Sequence, residues 1–139
     1  MKKNLKTFNS KIITVKNGNI FKVLNKKSNF FRGFGELYFS EIKYNKIKGW
    51  KLHKKMDMTL VVPYGLVKFV FSIDKKKPYK EILLGSKKNY YKILSVPPNI
   101  WFGFKGCSKP KSIVCNISNI LYDSKEVLSC DLNEIPFNW

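Results

Sequence analysis

The sequence predicts an all-β protein with a single domain, on three observations. Short segments rich in Val, Ile, Phe and Tyr recur along the chain, separated by Gly, Pro, Asn or Asp. No stretch combines helical periodicity with capping residues, and only 124–128 (SKEVL) predicts a helical turn. The length of 139 residues and the hydrophobic fraction of 44% suit one packed domain. Many short strands at regular spacing are typical of a β-sandwich or barrel.

The predicted domain covers residues 11–139, and the polar residues 1–10 are expected to be frayed. Turns are predicted at Asn17-Gly18, Tyr64-Gly65 and Pro97-Pro98-Asn99, because these residue types favour turn conformations. A further strand is expected around the histidine at position 53. The other predicted strands are, in order, 12–17, 18–24, 35–44, 58–65, 66–74, 80–85, 89–98, 100–104 and 111–118.

The formal net charge of +18 indicates either a solvated lysine surface or a polyanionic partner. Arg32 is the only arginine, and lysines are scattered along the whole chain. Proteins that read nucleic acids usually grip bases and phosphates with the bidentate guanidinium of arginine. A nucleic-acid partner is therefore disfavoured, although a basic nucleic-acid-binding β-barrel stays open as an alternative.

Membrane, secretory and metal-dependent classes find no support in the sequence. No apolar run approaches the roughly 20 residues needed to span a bilayer, and the basic start lacks the apolar segment of a signal peptide. We therefore expect a cytoplasmic protein without a membrane partner. The three cysteines are Cys107, Cys115 and Cys130. Their odd number and the absence of a CxxC pair predict neither a disulfide framework nor a zinc site, so no metal is expected.

His53 is the only histidine, and a neutral histidine is the commonest general base in enzymes. A base histidine works best when a carboxylate orients its second ring nitrogen, and Asp131 is the candidate for that role. The alternatives are a histidine without a role and an aspartate that serves only a turn. Signatures of phosphate-binding loops, dinucleotide-binding folds, zinc proteases and serine or cysteine nucleophiles are absent, so no cofactor is expected.

Four segments resemble, in the right order, the dTDP-4-dehydrorhamnose 3,5-epimerase family of nucleotide-sugar cupins. The resemblance covers most of the chain from about Gly33 onward, through GELYFSEI, KGWKLHKKMDMTLVVPYGLVKFVFSID, ILSVPPNIWFGFKG and SCDLNEIPFNW. It implies a cupin-type jelly roll (double-stranded β-helix), with an immunoglobulin-like sandwich as the alternative. It also implies a homodimer that acts on a nucleotide-diphosphate sugar in carbohydrate biosynthesis.

The resemblance implies that His53 is the base, that Asp131 orients it and that Lys51 stabilises the enolate. The family's general-acid tyrosine falls near Val114 or Cys115, so Tyr64 is proposed as the acid in its place, with Tyr122 as a second candidate.

The resemblance also implies four substrate contacts. The family's Phe-x-Glu element is similar to Phe39-Ser40-Glu41, Thr59 stands where the family has a lysine, and Phe102 stands where it has a second histidine. The function implied is epimerisation or isomerisation of a nucleotide-linked 4-keto-6-deoxy sugar, in which a histidine removes a proton next to the keto group. A cupin that binds a sugar nucleotide without turnover is the alternative.

Overall fold

The computed structural model describes residues 4–139, and these residues form two five-stranded antiparallel sheets and a two-stranded hairpin. The predicted all-β fold is confirmed. The strands are β1 Lys6–Asn9, β2 Ile12–Ile13, β3 Ile20–Phe21, β4 Glu36–Lys43, β5 Ile47–His53, β6 Met58–Tyr64, β7 Leu66–Ser72, β8 Pro78–Gly85, β9 Lys92–Val96, β10 Trp101–Gly106, β11 Lys111–Ser118 and β12 Val127–Ser129. Two 3-10 helices, Ser124–Glu126 and Leu132–Glu134, flank β12.

The two large sheets pack face to face around the main core. Sheet I has the strand order β1-β9-β6-β11-β4, and sheet II has the order β12-β5-β10-β7-β8. Because side chains alternate along a strand, Met58, Leu60 and Val62 of β6 enter the core between the sheets, whereas Val61 joins a separate cluster on the outer face of sheet I.

Both sheets are also covered on parts of their outer faces. The β2–β3 hairpin packs on the outer face of sheet I, where Phe21 contacts Tyr91 edge-on at 5.2 Å. The C-terminal segment packs on the outer face of sheet II, where Ile135 and Trp139 cover Trp50. Strands β6 and β7 are consequently buried on two faces, which explains why they read as continuous apolar runs in the sequence.

The N-terminal prediction differs from the structure. Residues 1–3 of the segment expected to be frayed lie outside the described residues, but Lys6–Asn9 forms β1 and pairs with β9. The two strands predicted from 12 to 24 shrink to two residues each, because the hairpin lies on the surface of sheet I and not in its ladder.

The turns and the helical turn lie where the sequence predicted them. Gly65 joins β6 to β7 with a φ of 86°, a conformation that favours glycine, and Gly18 between β2 and β3 has a φ of 134°. Asn99 in the Pro-Pro-Asn turn also has a positive φ of 63°. The helical turn predicted at 124–128 is present as the 3-10 helix Ser124–Glu126. Across residues 4–139 no helix is long and apolar enough to cross a membrane.

Candidate functional site

A cavity of about 310 Å³ lies between the two sheets, and we call it the inter-sheet cavity. Sheet I contributes residues of β4, β6 and β11, and sheet II contributes residues of β5, β7, β10 and β12. Its lining combines apolar side chains, among them Leu60, Phe69 and Phe104, with polar ones. The polar lining consists of Tyr38, Ser40, Lys48, Lys51, His53, Asn116 and Tyr122.

His53 lies at the end of β5 and forms a buried hydrogen bond with Glu126. The distance between His53 Nδ1 and Glu126 Oε1 is 2.5 Å, and the two residues are only 6% and 3% exposed. The backbone N–H of Lys55 donates to Glu126 Oε2 at 3.0 Å, which fixes the carboxylate on its other side. Phe102 stacks beside the imidazole, with 6.0 Å between ring centroids. The ring nitrogen left for a ligand in the cavity is therefore Nε2.

The charge of Glu126 determines the tautomer of His53. Burial raises the pKa of Glu126, but hydrogen bonds from His53 and from the backbone of Lys55 and Met56 more than offset burial, so its pKa is lower than that of an ordinary glutamate. A carboxylate accepts hydrogen bonds only, so Nδ1 carries a proton, and in the neutral imidazole Nε2 is the nitrogen with the free lone pair. A buried carboxylate that orients a histidine in this way is the arrangement of a general base.

Two lysines give the cavity a positive charge. Lys48 Nζ donates to Ser40 Oγ at 3.0 Å and to the backbone oxygen of Glu41 at 2.6 Å, and Lys51 lines the same wall. No carboxylate among residues 4–139 forms an ion pair with either lysine. The cavity is thus suited to an anionic ligand. Within the described part of the chain, no group of three or more His, Cys, Asp or Glu side chains is placed to hold a metal ion.

A tyrosine and an asparagine face the cavity from sheet I. Asn116 Nδ2 on β11 donates to the phenol oxygen of Tyr38 on β4 at 2.8 Å. Burial raises the pKa of Tyr38, and the hydrogen bond from Asn116 offsets part of that rise. Tyr122 also lines the cavity, but it is 63% exposed and lies between β11 and the 3-10 helix Ser124–Glu126.

The structure brings four of the predicted site residues together: the inter-sheet cavity is lined by Lys51, His53, Phe102 and the second acid candidate, Tyr122. Tyr64 does not join them. It is 51% exposed and lines a different pocket at the β6–β7 turn, beside Gly65 and Ser108. The prediction that Tyr64 supplies the acid is therefore not supported by its position.

The remaining predicted substrate contacts lie away from the cavity wall. Phe39 and Glu41 point from β4 to the outer face of sheet I, where Phe39 is 66% exposed and Glu41 pairs with Lys111. Thr59 is buried on β6, and its neighbour Leu60 lines the cavity in its place. The predicted strands around these residues are present as β4 and β6, but the predicted contacts lie on the face that points away from the cavity. Side chains of adjacent residues on a strand point to opposite faces, so the neighbouring residues face the cavity.

The prediction that Asp131 orients His53 is wrong, because Glu126 forms that hydrogen bond. Asp131 is exposed and precedes the 3-10 helix Leu132–Glu134, where its backbone N–H donates to the Glu134 side chain. Strand β12 pairs with β5 in a register that sets Val127 opposite His53, which brings the preceding residue, Glu126, to the imidazole. The predicted helical turn at 124–128 contained this glutamate, but the sequence showed no sign of its pairing with β5.

No family model and no curated protein matches the chain. Its similarity to known proteins is to solved structures. A dTDP sugar isomerase from Desulfovibrio desulfuricans G20 is 28% identical with a TM-score of 0.89, over 97% of this chain and 90% of that one. A sugar 3,4-ketoisomerase from Thermoanaerobacterium thermosaccharolyticum, in complex with TDP, is 20% identical with a TM-score of 0.77, over 97% and 94%.

A dTDP-4-dehydrorhamnose 3,5-epimerase from Bacillus anthracis, with TDP and pyrophosphate bound, is 18% identical with a TM-score of 0.81, over 98% of this chain and 85% of that one. The likenesses to the 3,4-ketoisomerase and to the epimerase concern the fold alone, which is the cupin type that the sequence resemblance implied. The structural neighbours of this chain are therefore dTDP-sugar isomerases and dTDP-4-dehydrorhamnose 3,5-epimerases, as its sequence resemblance implied.

Proposed function

We propose that this protein is an isomerase or epimerase of a nucleotide-linked 4-keto-6-deoxy sugar. One observation carries the proposal: a buried His53–Glu126 pair presents Nε2 to a cavity that also contains Lys48 and Lys51. A neighbouring 3,4-ketoisomerase from Thermoanaerobacterium thermosaccharolyticum was solved with TDP-4-keto-6-deoxyglucose, which supports this class of substrate. The sequence resemblance implies that the reaction belongs to carbohydrate biosynthesis, and a cytoplasmic location remains the prediction from the sequence.

The chemistry follows from the acidity of a C–H bond next to a ketone. His53 Nε2 takes the proton from that carbon, and the C–H electron pair forms the C=C bond of an enolate. Glu126 stabilises the imidazolium produced, because its carboxylate already accepts the Nδ1 proton. The ammonium group of Lys51 or Lys48 stabilises the enolate oxygen. Epimerisation is completed when a second donor protonates the opposite face of the same carbon and the imidazolium releases its proton to solvent. Isomerisation is completed when the proton of the neighbouring hydroxyl passes to the enolate oxygen and the imidazolium protonates the carbon of the former ketone.

The positive charge of the site suits a diphosphate. Lys48 and Lys51 lack carboxylate partners among the described residues, and none of the residues that line the cavity is an aspartate or a glutamate. The overall charge of +18 also steers an anionic substrate toward the protein. A cavity of about 310 Å³ accommodates a sugar, while the nucleotide extends toward its mouth.

The test is deuterium exchange into TDP-4-keto-6-deoxyglucose at C3 or C5 in D2O. We expect the wild type to exchange, and His53→Ala to exchange about 10²–10⁴-fold more slowly. Lys54→Ala is the matched control, because Lys54 adjoins His53 in sequence but is exposed and outside the cavity. Wild-type binding of TDP without exchange would instead indicate a cupin that binds without turnover. Unchanged exchange in His53→Ala would refute the assigned base.

We further propose that the protein forms a homodimer through the outer face of sheet I. This face carries an apolar hollow of about 600 Å³ whose lining includes Phe34, 67% exposed, together with Leu37 and Phe39. Contiguous exposed apolar surface of this kind marks interaction sites. The sequence resemblance implies the same state, with N-terminal strands contributing to the contact.

Analytical ultracentrifugation tests the homodimer. We expect a dimer for the wild type and a monomer for Phe39→Lys, since the new charge would be buried without a partner in the interface. Tyr79→Lys is the control, because Tyr79 is also an exposed aromatic residue but lies on β8 of sheet II. A monomeric wild type, or a Phe39→Lys variant that dimerises normally, would contradict the proposal.

A further inference from the structure

A second cavity, of about 540 Å³, lies at the far end of the strands from His53, and we call it the turn pocket. Its wall is formed by the β6–β7 turn (64–66), the β8–β9 loop (85–87 and Tyr90) and the β10–β11 loop (107–109 and Lys111). Strand β10 shows the separation, because it begins at Trp101, which pairs with Leu52 beside His53, and ends at Gly106, just before the turn pocket. None of the residues that line the turn pocket also lines the inter-sheet cavity.

Hydrogen bonds tie the three connections of the turn pocket together. The N–H of Ser86 donates to the backbone oxygen of Gly65 at 3.0 Å, and the N–H of Cys107 donates to the backbone oxygen of Leu66 at 2.8 Å. Ser112 Oγ donates to the same oxygen of Leu66 at 3.0 Å and accepts from the N–H of Leu66 at 3.1 Å. The turn pocket is therefore preformed, and a ligand would bind it without first ordering these loops.

Positive charge surrounds the turn pocket. Its lining includes Lys87, Lys109 and Lys111 but no aspartate or glutamate. Glu41 pairs with Lys111, whereas no carboxylate within residues 4–139 forms an ion pair with Lys87 or Lys109. Lys109 Nζ lies 5.2 Å from the centre of the Tyr44 ring, a contact that leaves its charge in place. Ammonium groups gathered in this way repel one another, so the turn pocket suits an anion such as a phosphate group.

Two exposed tyrosines, Tyr64 and Tyr90, line the turn pocket beside the lysines. The N–H of Tyr90 donates to the backbone oxygen of Lys87 at 2.9 Å, so a tight turn holds an aromatic ring and an ammonium group on the same short loop. Aromatic side chains stack on nucleobases, while lysines bind the phosphates attached to them. The volume of about 540 Å³ falls within the range of about 300–1,000 Å³ that is typical of small-molecule sites.

We propose that the turn pocket is a second ligand site, which binds a nucleoside phosphate with a tyrosine ring against the base and with Lys87 and Lys109 against the phosphate. The turn pocket shares no residue with the catalytic cavity, so this inference and the proposed function can fail independently. A free nucleotide fits better than a nucleic-acid strand, because Tyr64 and Tyr90 border one pocket and are not spaced along a groove that a strand could follow.

The first experiment titrates the full-length, 15N-labelled protein with AMP and follows the backbone amides by NMR. We expect saturable shifts at Gly65, Ser86 and Ser108, which line the turn pocket. Shifts confined to Gly49 and Asn116, which line the inter-sheet cavity, would place the nucleotide in the catalytic site and overturn the inference. The absence of saturable shifts at the turn pocket would overturn it as well.

Lys87→Ala tests the phosphate contact, and Lys88→Ala is its matched control. Both lysines are exposed on the β8–β9 loop and carry the same charge, but Lys88 does not line the turn pocket. We expect the dissociation constant for AMP to rise about fivefold in Lys87→Ala, the effect of one unit charge at about 4 Å in water, and to stay within about twofold of wild type in Lys88→Ala. Both variants should keep wild-type deuterium exchange. Equal rises in the two variants would reveal a general charge effect and overturn the assigned contact.

Inorganic phosphate and Tyr90→Ala test the contact with the base. We expect inorganic phosphate to bind about tenfold more weakly than AMP, and Tyr90→Ala to weaken AMP by a similar factor. Tyr79→Ala is the control, because Tyr79 is an exposed tyrosine outside the turn pocket. Equal binding of AMP and inorganic phosphate would leave a plain anion site and overturn the nucleoside assignment. Shifts at the turn pocket with a single-stranded oligonucleotide of about ten nucleotides, but not with AMP, would overturn it in favour of nucleic acid.

Discussion

The orientation of His53 depends on the carboxylate of Glu126. Substituting Glu126 and Asp131 in turn shows which of the two carboxylates orients the imidazole. Glu126→Gln keeps the size of the side chain but removes its charge, so His53 loses the acceptor that holds its tautomer. We expect the deuterium-exchange rate to fall about 10²–10⁴-fold. Asp131→Asn is the control and should exchange at nearly the wild-type rate, because Asp131 is exposed on the C-terminal segment. Equal losses in both variants would contradict the assignment of Glu126.

The same glutamate makes stability sensitive to acid. Its pKa in the folded protein lies below the ordinary glutamate value of about 4.3, because hydrogen bonds from His53 and two backbone N–H groups outweigh burial. A lowered pKa contributes stability that is complete above the ordinary value and is lost as pH falls through the folded value. Urea unfolding at about pH 6 and about pH 3 should therefore show a smaller acid-induced loss for Glu126→Gln than for wild type.

Glu134→Gln is the control for acid sensitivity. Glu134 also has a lowered pKa, first through the backbone N–H of Asp131 and then through Lys75, but it is exposed. Surface pairs contribute little to stability, so its substitution should leave the acid-induced loss almost unchanged. Acid-induced losses of the same size in wild type and Glu126→Gln would show that the buried pair does not control this transition.

At the scale of elements, Tyr91 joins the β2–β3 hairpin to sheet I. Its hydroxyl donates to the backbone oxygen of Lys22 at 2.9 Å, and its ring packs against Phe21. Tyr91→Phe removes the hydrogen bond but keeps the ring, so we expect the free energy of unfolding to drop by about 1 kcal/mol. Tyr90→Phe is the matched control, because the adjacent tyrosine is exposed. A drop of equal size in Tyr90→Phe would show that the hairpin contact is not responsible.

Alkaline pH also tests the contact between Tyr91 and the β2–β3 hairpin. The pKa of Tyr91 is raised, whereas that of Glu126 is lowered, so the stability linked to Tyr91 is lost at high pH and not at low pH. Burial, with a smaller contribution from Cys115, raises the pKa of Tyr91 to about 12. A raised pKa contributes stability that is complete below the ordinary tyrosine value of about 10 and is lost as pH rises through the folded value. Tyr91→Phe should therefore lose less stability than wild type above about pH 10.

The whole molecule carries a charge of +18, against which few ion pairs act. Within residues 4–139 there are only the pairs His53–Glu126, Lys75–Glu134 and Lys111–Glu41. Repulsion between lysines destabilises the folded state, and salt screens it with a Debye length of about 10 Å at 0.1 M. We expect the midpoint of thermal unfolding to rise as sodium chloride is raised from about 0.01 M to about 0.5 M. Sucrose at matched osmolality is the control, and a midpoint that falls with salt would contradict the expectation.

Local sequence pattern was sufficient for most of the fold. Turn residues such as Gly65 and alternating or continuous apolar runs mark their strands through steric and burial preferences that act within a few residues. Short strands at the chain ends were harder to predict. Strands β1 and β12 form because β9 and β5 offer them edges, and a pairing partner far along the chain leaves no local mark.

The sequence alone was also sufficient to single out His53, because it is the only histidine and lies within a recognisable order of segments. Tertiary structure decided what surrounds it. The register of β12 on β5 brings Glu126, and not Asp131, to the imidazole, and the alternation along β4 turns Tyr38 inward and Phe39 outward. A shift of one residue reverses the face of every side chain on a strand, so the composition of this site depends on register, which only the folded sheets establish.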